Sequence, residues 1–132
     1  MRLRTFGLGA AVAVTLLWGT PTEAHHSFAA EFDANKPITL RGTLTRVELV
    51  NPHGWVHIEV KNADGSATEW AVEAGSATQL LKAGLRKSDF HIGTEVVVKG
   101  FLARNGKPIA NGTTVTLSDG RDFFLASSRG SE

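Results

Sequence analysis

From Ile38 onward apolar and polar positions alternate, with Ile38, Leu40, Gly42 and Leu44 in one phase. A period of two predicts a half-buried strand. The phase then flips, and Val47 and Leu49 carry the apolar side. A flip inside one strand predicts a bulge near Thr45-Arg46. Asn51-Pro52-His53-Gly54 has the composition of a turn. Val56, Ile58 and Val60 form the next apolar face, opposite Trp55, His57 and Glu59. Asp64-Gly65 marks a hairpin, and Trp70 and Val72 mark a third strand.

Ser76-Ala77-Thr78-Gln79 reads as a capping box opening a short helix through Leu80 and Leu81, closed by Gly84. A β-branched strand covers Gly93 to Ala103. Asn105-Gly106 turns it into 108–117, where Asn111-Gly112 suggests a bulge. Asp119-Gly120 turns the chain again into a short last strand, Arg121 to Leu125. Asn111-Gly112-Thr113 also matches a glycosylation sequon and is read as turn chemistry. Upstream, Phe28 and Phe32 are one helical turn apart, which predicts that both rings dock on the body before Pro37 ends the turn. The order strand, strand, strand, short helix, strand, strand predicts an all-β chain with one short helix. It matches a small OB-like five-stranded barrel. A small β-sandwich or a half-open roll is the alternative.

The first 24 residues have a different character. Arg2 and Arg4 precede an uncharged, largely apolar run from Phe6 to Trp18, and Thr22-Glu23-Ala24 is small at both ends. That layout predicts a secretory signal peptide over 1–24, cut after Ala24. The run is shorter than the ~20 residues of a membrane span. The expected organisation is then an N-terminal arm over 25–37, the β domain over 38–126 and a flexible tail over 127–132. The expected location is periplasmic or secreted, with no stable membrane anchor left after cleavage.

Composition narrows the chemistry. Arg2, Arg4 and Glu23 leave with the signal, so the remaining chain is formally neutral. A neutral domain lacks the basic footprint of a nucleic-acid binder, so no nucleic-acid partner is expected. The chain has no Cys, and its one Met is Met1. Disulfides, zinc fingers, thiol catalysis and soft-sulfur Cu(I) sites are therefore excluded. The frame of a serine nucleophile elbow is absent around Ser76, and no carboxylate pair can be set at hydrolase spacing. Glu59, Glu69 and Glu73 are read as outer-face charges. No catalytic residues are assigned, and the chain is read as a binding module rather than an enzyme.

His25-His26-Ser27-Phe28, Asn51-Pro52-His53-Gly54-Trp55, Glu69-Trp70-Ala71-Val72-Glu73-Ala74-Gly75 and Asp119-Gly120-Arg121 together resemble a family of small exported bacterial proteins. That family is known mainly as a domain of unknown function. The resemblance covers nearly all of the chain after residue 24. Its most specific parts are the HHSF start and the NPHxW turn. Leu85, after Gly84, departs from it, since an aromatic residue is expected there. The resemblance supports the fold and implies no activity.

Five histidines carry the remaining chemistry. A new N-terminus at His25 offers an amine and an imidazole to one metal ion, a chelate that a second imidazole completes as a histidine brace. Alternatively, the amine, the amide of His26 and the ring of His26 form a tridentate set. Such nitrogen donors suit Cu(II) first among divalent metals. The candidate metal ligands are His25, His26 and His53, with His53 favoured as the third nitrogen because it lies in the motif turn. A copper oxygenase would use the same brace, but it ranks lower in a chain without Tyr for an axial ligand. His57 is expected to be a solvated or hydrogen-bonded strand residue, and His91 a structural one. A different class of function uses the face around Trp55 and His57 for a small molecule, glycan or other envelope ligand, with no metal. The expected partner is accordingly a divalent metal or a small envelope ligand, and no protein partner is specified.

Overall fold

A computed structural model describes residues 28–125. The expected signal peptide, His25, His26 and the tail beyond Leu125 lie outside the described residues. The elements are α1 (Phe28–Glu31), β1 (Phe32–Glu48), β2 (Trp55–Lys61), β3 (Ala67–Glu73), α2 (Ala77–Lys82), a 3-10 turn (Lys87–Asp89), β4 (Glu95–Ala103), β5 (Ile109–Thr116) and β6 (Asp122–Phe124).

β1 is long enough to serve two neighbours. Pro37 to Thr43 pair with β4, and Thr43 to Glu48 pair with β2. The register slips between Leu44 and Arg46, where the hydrophobic phase flips, so the bulge lies where the pattern requires it. β2 and β3 form an antiparallel hairpin, and β4 pairs antiparallel with β5. Ala71 to Glu73 then pair in parallel with Ile109 to Asn111. That pairing closes β1, β2, β3, β5 and β4 into a ring of five strands, with β6 added beside β5. The fold is mostly β with OB-like strand order, as the element order predicts.

Alternation fills the ring. Leu40, Leu44, Val56, Ile58, Val72, Val96, Val98 and Val115 are buried inside it, with Trp70 packed partly buried against them. α2 sits across one side and contributes Leu80, while Leu81 is exposed. Its capping box is complete: Gln79 N donates to Ser76 Oγ and Ser76 N donates to Gln79 Oε1. Leu85 is fully buried, so the departure from the expected aromatic falls on a packing position.

Three expectations change. The helical turn at Phe28 ends at Glu31 instead of Pro37, and β1 begins at once. Asp33 Oδ1 accepts from Asn35 N at 3.0 Å within the irregular stretch between Phe32 and Pro37, and Pro37 itself pairs with Phe101. The β5 bulge comes one residue later than expected, since Lys99 pairs with Thr114 and Gly100 with Gly112, leaving Thr113 over. Asn111 is fully buried inside β5, so the Asn111-Gly112-Thr113 stretch is strand rather than turn, and it is not a surface acceptor either. No helix among the described residues is long and apolar enough to cross a membrane.

Candidate functional site

The site forms where two motif stretches are stitched together. Gly54 N donates to Gly75 O at 2.9 Å, and Ala74 N donates to Gly54 O at 2.8 Å. Gly54 is buried, and a Cβ there would come within 3.0 Å of Gly75 O and 3.1 Å of Glu48 O. A side chain would require those backbone carbonyls to give by a few tenths of an ångström, so the approach favours glycine. The clamp places His53, on a turn with a cis Asn51–Pro52 peptide, beside Glu73 at the end of β3.

His53 Nδ1 lies 3.1 Å from Glu73 Oε1, with the His53 side chain 41% exposed and that of Glu73 8% exposed. Nδ1 itself is sealed from solvent and makes no aligned hydrogen bond. The contact is thus close enough for an ion pair and lacks the alignment of an N–H···O bond. Glu73 is the residue that sequence reasoning placed wrongly. It is buried rather than an outer-face charge, because β5 pairs alongside it and the arm crosses nearby. The turn at Asp64-Gly65 contained a signal: counting outward from it brings Glu73 opposite Trp55, the observed register.

Trp55 and Glu73 border a cleft of about 500 Å³. Its other walls include Ala30 and Glu31 of α1, Phe32 of β1, and Arg104 and Asn105 of the β4–β5 turn. The arm is held there by several contacts. Phe28 stacks on Phe32 with centroids 5.7 Å apart and meets Phe101 edge-on at 5.6 Å. Arg104 N donates to Glu31 O and Arg104 Nε donates to Ala29 O, each at 2.9 Å.

The chain matches the family model described as a family of unknown function, DUF6152, over residues 13–114. It belongs to that family. No curated protein matches it. In this DUF6152 member the NPHxW turn and the EWAVEAG stretch, read separately along the sequence, are neighbours in space. His53, Trp55 and Glu73 meet at one end of the ring.

The other candidate residues stand apart from that end or outside the described residues. His57 lies on the outer side of β2, only 12% exposed. Arg46 Nη2 lies 3.2 Å from its Nε2 and 3.5 Å from its Nδ1. Arg46 also pairs with Glu48 at 2.8 Å, and Thr45 donates to Glu69 at 3.1 Å. Burial lowers the His57 pKa, and the Arg46 charge lowers it further, against the opposite pull of Glu48 and Glu69. His91 is exposed, and its carbonyl accepts from Thr94. Among the described residues no group of three or more His, Asp or Glu side chains forms a metal cluster. Among the described residues His53 and Glu73 are a pair.

Proposed function

We propose that this chain is an exported binding module that holds a divalent metal, Cu(II) in the favoured case, at the arm end of the strand ring. The donors are the amine and ring of His25 with the ring of His53, or the set built on His25 and His26. The observation that supports this reading is His53 itself. A ring nitrogen sealed from solvent and left without an aligned hydrogen bond is costly in a purely structural turn. It suits a ring whose other nitrogen is meant for a ligand.

Chain reach is consistent with the assignment. Two residues separate His25 from the anchored Phe28, three Cα steps that span up to about 10 Å. Ala30 and Glu31, which follow Phe28 in the arm, border the cleft next to Trp55 and Glu73. The amine and imidazole are nitrogen donors of the kind Cu(II) prefers, and the chain offers no thiolate to compete.

The deciding experiment is intact mass and Cu(II) titration on protein exported with its own signal and purified without an N-terminal tag. The expected result is a chain starting at His25 that binds one equivalent against a competing chelator. One residue added before His25 should abolish tight binding with either donor set, His53→Ala should do so where His53 supplies the third nitrogen, and Trp55→Ala should not. Unchanged affinity in the extended chain would overturn the metal reading.

The cleft favours a second reading. Its volume falls within the roughly 300–1,000 Å³ of small-molecule sites, and Trp55 and Phe32 supply apolar walls. A small envelope ligand or glycan fragment would then bind without metal, and Trp55→Ala would be the damaging change.

A further inference from the structure

The contact between His53 Nδ1 and Glu73 Oε1 restricts where the ring can carry its proton. With no proton on either atom, Nδ1 and Oε1 would be two bare acceptors 3.1 Å apart, with Nδ1 shut off from water. Lone pairs at that distance repel, more strongly where solvent cannot screen them. A proton on Nδ1 turns the contact into a donor facing a carboxylate acceptor. In a neutral ring the other nitrogen, Nε2, then carries the lone pair. Nδ1 is sealed while the His53 side chain as a whole is 41% exposed, so its exposure falls on its other atoms.

We infer that Glu73 is a positioning residue: its buried carboxylate holds His53 as the Nδ1–H tautomer and turns a bare Nε2 outward as the ligand atom. The metal half of this inference rests on the function proposed above; the tautomer half stands on the pair alone. A carboxylate behind a ligating imidazole fixes the ring and raises its basicity, and losing such a partner typically costs 10–100-fold in metal affinity.

The test is long-range proton–nitrogen NMR on the ¹⁵N-labelled, untagged exported chain, first without metal. His53 should show a protonated, pyrrole-type Nδ1 and a bare, pyridine-type Nε2 at neutral pH. E73Q keeps the volume and adds an amide N–H that can donate to Nδ1, so His53 should shift toward the Nε2–H form. Cu(II) affinity should fall about 10–100-fold in the same variant. A wild-type His53 protonated on Nε2 overturns the inference whatever the metal result. The expected tautomer in a wild-type chain that binds no Cu(II) supports the dyad and overturns the metal reading alone. If E73Q does not fold, the wild-type spectrum still decides.

Discussion

His53 and His57 are four residues apart, and each lies near a glutamate, yet they do opposite things with their rings. His57 sits in a strand, covered by the guanidinium of Arg46, which reaches both ring nitrogens. Arg can only donate, so of the two it can bond only the nitrogen that is bare in the neutral ring, and the lowered pKa of His57 agrees with a neutral ring. His53 sits in a turn, with one nitrogen sealed against Glu73 and no aligned partner for it. The difference shows how a satisfied polar network can be told from a poised site. Around His57, Arg46, Glu48, Thr45 and Glu69 answer one another on an outer face of the sheet. At His53 the nearby charge is itself buried, and the ring is left half-engaged.

The largest expected effect strikes both regions. Gly100 lies on β4 where the register slips, and a Cβ there would overlap the backbone carbonyl of Asn111. Gly100→Ala should destabilise the fold by about 3 kcal/mol, the upper end of overpacking costs, because backbone cannot turn aside as a side chain can. Urea unfolding followed by tryptophan fluorescence gives the loss, and NMR of the two histidines shows how it is shared. One cooperative ring predicts that both lose their distinctive signals together. Loss of the His53 signal alone would make the cleft a separate unit and weaken the comparison.

A smaller effect separates the two histidines by pH. The folded-state pKa of His57 is lowered, so the unfolded chain takes up its proton first as pH falls. The folded state is therefore fully favoured above about pH 6.5, the ordinary histidine value, and loses that advantage on acidification toward the lowered pKa. Unfolding midpoints measured between pH 7.5 and 5.5, above the main carboxylate range, should fall in the wild type. They should fall less in His57→Gln. The same variant should leave Cu(II) affinity unchanged. A loss of metal binding there would place His57 in the site and erase the distinction drawn here.

Most of the strand plan was legible because period-two alternation is local. The Leu44/Arg46 slip, the Ser76 cap and the hairpin at Asp64-Gly65 each follow from a few adjacent residues. The network of His57 was legible in kind, as a hydrogen-bonded strand residue, without its partner Arg46 being identified. Glu73 was not, for a physical reason. Its burial depends on Ala71 to Glu73 pairing with Ile109 to Asn111, a contact between segments far apart in the chain. Alternation marks Glu73 as facing away from Trp70 and Val72, and it cannot show that a second strand and the arm cover that outward side. His53 was singled out from its motif, but the group behind its ring appears only once the Gly54 and Gly75 backbones are joined.

The smallest effect tests how His57 is held. Arg46 is largely exposed, and its pair with Glu48 is a surface pair. Such pairs contribute about 0–1 kcal/mol, so Arg46→Met should shift stability by less than about 1 kcal/mol. Its consequence lies in the titration. Removing the guanidinium leaves Glu48 and Glu69 facing the ring without an opposing charge, and the His57 pKa should rise toward the ordinary histidine value. Burial, the larger cause of the lowering, stays in place and should keep the rise incomplete. NMR titration of His57 in wild type and variant measures both parts. An unmoved pKa would mean that burial alone sets it and that Arg46 merely lies nearby. A pKa that overshoots the ordinary value would mean that the two carboxylates dominate this face. His57 would then resemble His53 in being governed by its glutamates, and only the buried contact with Glu73 would still tell them apart.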